Sequence, residues 1–303
     1  MIRRFRAELF LILATMIWGG TFPAISVFLH YADAGYIVAL RFAVASLVLL
    51  PFLFSGGFLT QLKAGFRDGI VLGALTFSGF YLQTLGLAYT TPAKSAFITY
   101  LLVIYVLVFQ AVWDRRAPTL WNYISTAVLL TGAYVLVQPA AGEINRGDWI
   151  TFISAGAFAG YILAVDRTHS EGRMASILFS QFLLCSAAGF ALALLNGAPA
   201  PVWTPTSIAL LLYLAIPASL ITVFIMLKYQ RATTPVRASI LYAMEPLFAT
   251  LIAIVYPGIW PGAHEWIGGF IILFGVMLSE ASAFLRSRSV AKKPEVNAEE
   301  KQV

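Results

Sequence analysis

The chain has 303 residues, 60% of them hydrophobic and only 11% charged, with a mean hydropathy of +0.83 and a formal net charge of +6. Soluble domains run at about 45–50% apolar and about 25% charged, so a soluble fold of ordinary make-up is excluded. The single cysteine, Cys185, excludes an internal disulfide, the three histidines (His30, His169, His264) sit apart at predicted helix ends, and no G-x-x-x-x-G-K-[ST] loop is present for ATP.

Apolar runs of roughly 20 residues recur along the chain, each long enough to cross about 30 Å of hydrocarbon. They predict ten transmembrane helices near 7–29, 34–54, 68–89, 92–112, 119–138, 149–167, 174–195, 206–228, 234–255 and 266–284. The first opens on Arg3, Arg4 and Arg6, but its apolar run is long for a signal peptide and no small-residue cleavage site follows, so it reads as an uncleaved helix. After Arg286 the chain is charged and lacks aromatics, which predicts a disordered tail over 285–303. With the N-terminus in the cytoplasm, ten crossings put Arg3, Arg4, Arg6, Lys63, Arg67, Arg115, Arg116, Arg167, Arg173, Lys228, Arg231, Arg237 and the basic residues of the tail inside. The outer segments keep only Lys94 and Arg146, as the positive-inside bias requires. The net positive charge is then explained by topology, without a nucleic-acid partner.

An internal echo accompanies the even spacing. Thr90 to Tyr100 reads TTPAKSAFITY, and Thr233 to Pro246, 143 positions on, reads TTPVRASILYAMEP. Pro92 matches Pro235, Lys94 matches Arg237, and at the same offset Gly132 matches Gly275. The expectation is an all-α membrane protein of ten helices arranged as two five-helix repeats, 7–138 and 149–284. Because five is odd, the second repeat would enter the membrane inverted, and both termini would be cytoplasmic. Inverted repeats around a midplane site are the usual plan of secondary transporters.

Ile17-Trp18-Gly19-Gly20-Thr21-Phe22, Leu40-Arg41-Phe42, the two TTP-basic openings and Met244-Glu245-Pro246 together resemble the ten-helix EamA-type members of the drug/metabolite transporter superfamily. The resemblance covers nearly the whole chain. It implies a multi-pass carrier of the cell inner membrane, commonly an exporter of amino acids, nucleosides or related metabolites, with a cavity lined by spans 1, 3, 4, 6, 8 and 9. The chain departs from the family pattern after spans four and nine, where Trp113-Asp114 and Tyr256-Pro257-Gly258 replace the frequent Gly-Glu, and Val103 stands where the second repeat has Pro246.

Intramembrane charges single out candidate site residues. An ionised side chain at the bilayer centre costs at least about 2.5–3.5 kcal/mol, so it faces protein or a wet cavity. At 1.5 Å per residue, Arg41 lies roughly 10 Å below the outer face and Glu245 roughly 16 Å above the inner one; the two are expected either to pair or to face one polar cavity. Polar stripes mark inward faces: Thr91, Ser95 and Thr99 with Tyr100, then Ser239, Tyr242 and Glu245, then Thr76, Gly79 and Gln83. The same groups also serve as interhelical hydrogen-bond glue. Trp18, Thr21, Arg41, Tyr81, Gln83, Ser95, Thr99, Tyr100, Tyr161, Tyr242 and Glu245 are the candidate substrate-binding residues, with hinges at Pro92, Pro235 and Pro246.

The expected function is secondary transport, by alternating access, of a small polar or zwitterionic metabolite such as an amino acid, with export the expected direction. The expected partners are that substrate, the lipid bilayer and, as a candidate coupling ion, protons; the expected unit is a monomer with neither cofactor nor metal. A channel or a non-transporting receptor is the alternative. An intramembrane enzyme fits less well, because no second carboxylate, Ser-His or Asp-Asp pair accompanies Glu245 at membrane depth.

Overall fold

The computed structural model describes residues 2–54, 58–113, 115, 118–139, 143–255 and 260–299, with side chains left aside at 2–3, 58–61, 255 and 282–299. Asp114, Arg116, the Tyr256-Pro257-Gly258 segment and residues 300–303 of the expected tail lie outside the described residues.

Among the described residues, nine helical segments are long and apolar enough to cross a membrane. They are α1 (Arg4–Phe28), α2 (Ala34–Phe54), α3 (Leu62–Leu87), α4 (Pro92–Trp113), α5 (Leu120–Val137), α6 (Arg146–Arg167), α7 (Met174–Leu195), α8 (Pro205–Ala232) and α9 (Pro235–Ile254). The tenth expected span falls inside α10, Ala263–Glu299. That helix continues as far as Glu299. Over residues 285–299 its Arg, Lys and Glu residues make the chain polar, and they and the alanines are good helix formers. Large apolar side chains stay exposed along the outer faces, Leu9, Leu13 and Met16 on α1 among them, as expected where the surrounding medium is hydrocarbon.

Glycines decide which helices approach closely. On α3, a Cβ at Gly65 would lie 2.7 Å from Ile177, at Gly69 2.6 Å from the Ser180 Cβ, and at Gly73 3.0 Å from the Gln181 carbonyl, so α3 lies directly against the backbone of α7. At α5 and α10 the packing is reciprocal. Gly132 sits against Ile272 and Gly268, while Gly275 sits against Leu129 and Ser125. The start of α5 therefore meets the middle of α10 and its end meets Gly268, so the two helices run antiparallel.

Four spans are interrupted. Helix stops at Trp18 and resumes at Thr21 in α1, and stops at Tyr100 and resumes at Leu102 in α4. In α9 it stops at Tyr242 and resumes at Glu245, 143 positions beyond the break in α4. In α8 a π-helical stretch, Ile216–Ile221, carries Pro217. Pro92 and Pro235 are at none of these breaks. Each is the first residue of its helix, behind an N-cap threonine (Thr91, Thr234), where the missing N–H has no partner to lose. Pro246 directly follows the break in α9. In lipid every freed backbone group needs a protein partner, and the breaks are buried against neighbouring helices: the Trp18 Nε1 donates to the Ala218 carbonyl at 3.0 Å, and the Tyr213 hydroxyl donates to the Ile17 carbonyl at 2.5 Å.

Candidate functional site

The interrupted stretches of α1, α4 and α9 surround an internal cavity. Its walls are Trp18, Thr21 and Phe22 of α1, Phe80 and Gln83 of α3, Thr99, Tyr100 and Leu102 of α4, Phe158, Tyr161 and Ile162 of α6, Val223 and Met226 of α8, and Tyr242 and Glu245 of α9. The space measures about 70 Å³, against roughly 300–1,000 Å³ for a typical ligand pocket. The cavity is contracted.

Eight of the eleven candidate binding residues meet there: Trp18, Thr21, Gln83, Thr99, Tyr100, Tyr161, Tyr242 and Glu245. Several of their polar groups are held by bonds to one another or to residues behind the wall. The Gln83 amide donates to the Thr99 hydroxyl at 3.2 Å, and that hydroxyl donates to the Ser95 carbonyl at 2.9 Å. The Tyr242 hydroxyl donates to the Gln230 side-chain oxygen at 3.0 Å, and its ring meets Trp18 edge-on at 5.4 Å. The Tyr161 hydroxyl accepts from the Gln181 amide at 3.2 Å. Glu245 differs from the rest: it is buried, and its Oε1 has no hydrogen-bond partner. It is the first residue of the second segment of α9, so the break supplies a helix N-terminus whose dipole favours a carboxylate there.

Three candidates lie elsewhere. Ser95 is buried one turn before Thr99, its hydroxyl 3.5 Å from that of Thr151, and joins α4 to α6. Tyr81 is half-buried and stacks on Phe77 at 5.4 Å. Arg41 is fully buried behind Phe80, over whose ring its guanidinium lies at 4.4 Å. Arg41 and Glu245 form no ion pair. Depth along a helix predicts height but not rotation, and Arg41 turns toward α8, donating from Nε to Ser219 Oγ at 2.9 Å.

The sequence reading missed Phe22, Phe80, Leu102, Phe158, Ile162, Val223 and Met226, all apolar. A signal for them existed. Trp18, Thr21 and Phe22 stand 140 positions before Phe158, Tyr161 and Ile162; Phe80, Gln83, Thr99 and Leu102 stand 143 positions before Val223, Met226, Tyr242 and Glu245. Every wall residue except Tyr100 thus has its positional mate in the wall. The same spacing links Arg41 to Gln181 (140) and Thr76 to Ser219 (143), and Gln181 donates to Thr76 at 3.0 Å as Arg41 does to Ser219.

Two ion-pair clamps carry the same relation to the ends of the bundle. At the start of α6, Asp148 is held by Lys94 at 2.6 Å and by the Thr90 hydroxyl at 2.6 Å. At the start of α1, 140 positions earlier, Glu8 lies 3.7 Å from Arg237 and accepts from the Thr233 hydroxyl at 3.4 Å. Arg237 also pairs with Glu280 of α10. The clamps are at opposite ends. Near Glu8, Phe10 of α1 stacks on Tyr229 of α8 at 4.3 Å, and that end of α8 bonds the end of α6 through Gln230–Ile162 and the loop just after it through Ser170–Leu227. Asp148 is at the other end of α6.

The comparisons agree with this doubled plan. A sequence profile described as the EamA-like transporter family matches residues 5–138 and again 145–280. An uncharacterized transporter of Archaeoglobus fulgidus is 27% identical over 289 residues, 91% of this chain and 86% of the relative. A second uncharacterized transporter of that organism is 25% identical over 295 residues, 91% of this chain and 98% of the relative. A riboflavin transporter of Vibrio cholerae serotype O1 is 23% identical over 265 residues, 84% and 86% of the two chains. A solved structure, described only as the crystal structure of a protein, matches with a TM-score of 0.76 at 17% identity, covering 95% of this chain and 99% of that one, a likeness of fold. With both halves of its length matched in this way, the chain is a multi-pass membrane protein that belongs to the EamA-like transporter family.

Proposed function

We propose that this protein is a secondary carrier of the cell inner membrane that moves a small polar or zwitterionic metabolite with an apolar or aromatic part outward, by alternating access between two inverted halves. The single observation that carries the reading is the pair of matched clamps at opposite ends of one contracted cavity. The antiparallel, reciprocal packing of Gly132 and Gly275 supports the inversion. With the Lys94–Asp148 clamp at the outer face and the Arg237–Glu8 clamp at the inner one, as the distribution of basic residues asks, both clamps are formed in the described state. Releasing one clamp while the other holds would open the cavity to one compartment, and the exchange of roles would carry the substrate across. The breaks in α1, α4, α8 and α9, with Pro246 beside one of them, supply the bending points.

Within the cavity, Glu245 would receive a cationic or donor group, while Trp18, Tyr100, Tyr161 and Tyr242 would enclose the apolar body, with Thr21, Gln83 and Thr99 offering hydrogen bonds. The aromatic lining, together with a relative named for riboflavin, also favours a planar ring as part of the cargo. Among the described residues no second carboxylate lines the cavity, which gives general acid–base hydrolysis no acid and base to pair. The test is reconstitution into proteoliposomes and a counterflow screen of radiolabelled amino acids, nucleosides and riboflavin, with and without a pH gradient. Saturable counterflow of at least one class is expected. Ion conductance without counterflow would replace the carrier with a channel.

A further inference from the structure

Arg41 is fully buried, yet only one of its three guanidinium nitrogens has a partner. Nε donates to Ser219 Oγ at 2.9 Å, while Nη1 and Nη2 are shielded from solvent with no hydrogen-bond acceptor. Among the described residues no carboxylate pairs with it. Its positional mate, Gln181, uses both of its amide hydrogens: Nε2 donates to Thr76, the mate of Ser219, and to the hydroxyl of Tyr161, a cavity residue, which leaves only its carbonyl oxygen without a partner. The mate of Tyr161 on the other side is Thr21, whose short side chain makes no such bond to Arg41. Arg41 is thus left with two unused donors beside the cavity, separated from it by the ring of Phe80, which touches both. A buried guanidinium without acceptor or counter-charge is unfavourable, and ionisable side chains inside membrane spans mark substrate and ion pathways. Its planar fork matches a carboxylate in two parallel hydrogen bonds.

We propose that Arg41 is the receptor for a carboxylate on the transported substrate, covered by Phe80 in the contracted cavity and presented when the cavity widens. The inference rests on the carrier reading and sharpens its substrate class: the cargo bears an anionic carboxylate at the α2 side and its apolar body among the aromatic residues, with Glu245 facing the opposite pole. A static role, in which Arg41 only locks α2 to α3 through Phe80 and Phe42, is the competing outcome.

Two measurements on the full-length protein decide between them. Binding to the purified carrier is measured by calorimetry for tryptophan, phenylalanine and 3-phenylpropionate, each against its carboxamide. The acids are expected to bind more tightly than the amides by about 10-fold or more, the scale of charged hydrogen bonds; Arg41→Lys narrows that ratio and Arg41→Gln brings it near one. Equal binding of acid and amide, or binding of neither, across the panel overturns the proposal, as does a preference that survives Arg41→Gln. Should Arg41→Gln fail to fold, the wild-type ratio and the Lys variant still decide. In the second measurement, Arg41→Cys in a Cys185→Ala background is treated in membranes with a small anionic thiol reagent. Reaction is expected; complete inertness means the position never opens, and the proposal falls. Failure of the carrier reading is distinct: it appears as absent counterflow in the broad screen, whatever these ratios are.

Discussion

The two clamps are built from the same motif and hold by different means. At the start of α6 one ion pair does most of the work: Lys94 and Asp148 are 2.6 Å apart, with side chains 14% and 5% exposed. Asp148 is also half of a capping box, accepting from the Asn145 backbone N–H at 3.0 Å while its own N–H donates to the Asn145 side chain. At the start of α1 the load is spread. Arg237 is shared between Glu8 and Glu280, and Arg4 joins the same two carboxylates at 2.8 and 3.4 Å. The first clamp has one carboxylate and no reserve, whereas the second is a network of four charges spread over α1, α9 and α10. The lesson is that symmetry of position does not give symmetry of strength, so the two faces of the proposed carrier should open at different cost.

The largest expected effect tests the undivided clamp. Asp148→Asn keeps the cap's shape but leaves Lys94 partly buried beside a neutral amide, and a broken buried pair costs about 3–5 kcal/mol. A matching loss of stability is expected in thermal or denaturant unfolding of the purified protein, with a cysteine placed at Thr99 becoming reactive from the outer side. No change in either would mean that the pair bears no load. Next comes the coupling energy from double-mutant cycles: about 2 kcal/mol or more for Lys94→Met with Asp148→Asn, and below about 1 kcal/mol for Arg237→Met with Glu8→Gln, since Glu280 remains. Equal couplings would erase the difference between the clamps. Glu8→Gln alone should cost about 1 kcal/mol or less in the same unfolding assay, in line with partly exposed pairs. The threonines should show the smallest effects and sharpen the comparison most finely. Thr90→Val, which loses a 2.6 Å bond to a carboxylate, should cost about 1 kcal/mol, and Thr233→Val, which loses one of 3.4 Å, about 0.5 kcal/mol or less.

Much of this was visible before any coordinates. Lys94 and Arg237 stand out because each follows a TTP opening, and Trp18, Gln83, Thr99, Tyr100, Tyr242 and Glu245 stand out as polar or aromatic groups inside apolar runs. Their partners did not. Asp148 and Glu8 are ordinary acidic residues near helix starts, and nothing local says that each meets a basic residue from the other half of the chain. The apolar wall was missed for a similar reason: Phe80, Val223 and Met226 look like any lipid-facing residue until their mates are also seen to be inward. Arg41 and Glu245 were expected to pair or to share a cavity, and the pair does not form, because a carboxylate at similar height is a partner only if both helices are turned toward it.

What the sequence determined on its own was the solvent, the succession of apolar spans and the duplicated plan, because the free energy of placing a segment in lipid is summed residue by residue along a local window. Rotation, partnership and volume belonged to the tertiary structure: which face of each helix turns inward, which acid each base meets, that α1, α4, α8 and α9 are broken beside the cavity, and that the cavity is contracted. Those properties depend on contacts between residues tens to hundreds of positions apart, set by how glycines such as Gly69 and Gly132 let whole helices settle against one another, and no local window contains that information.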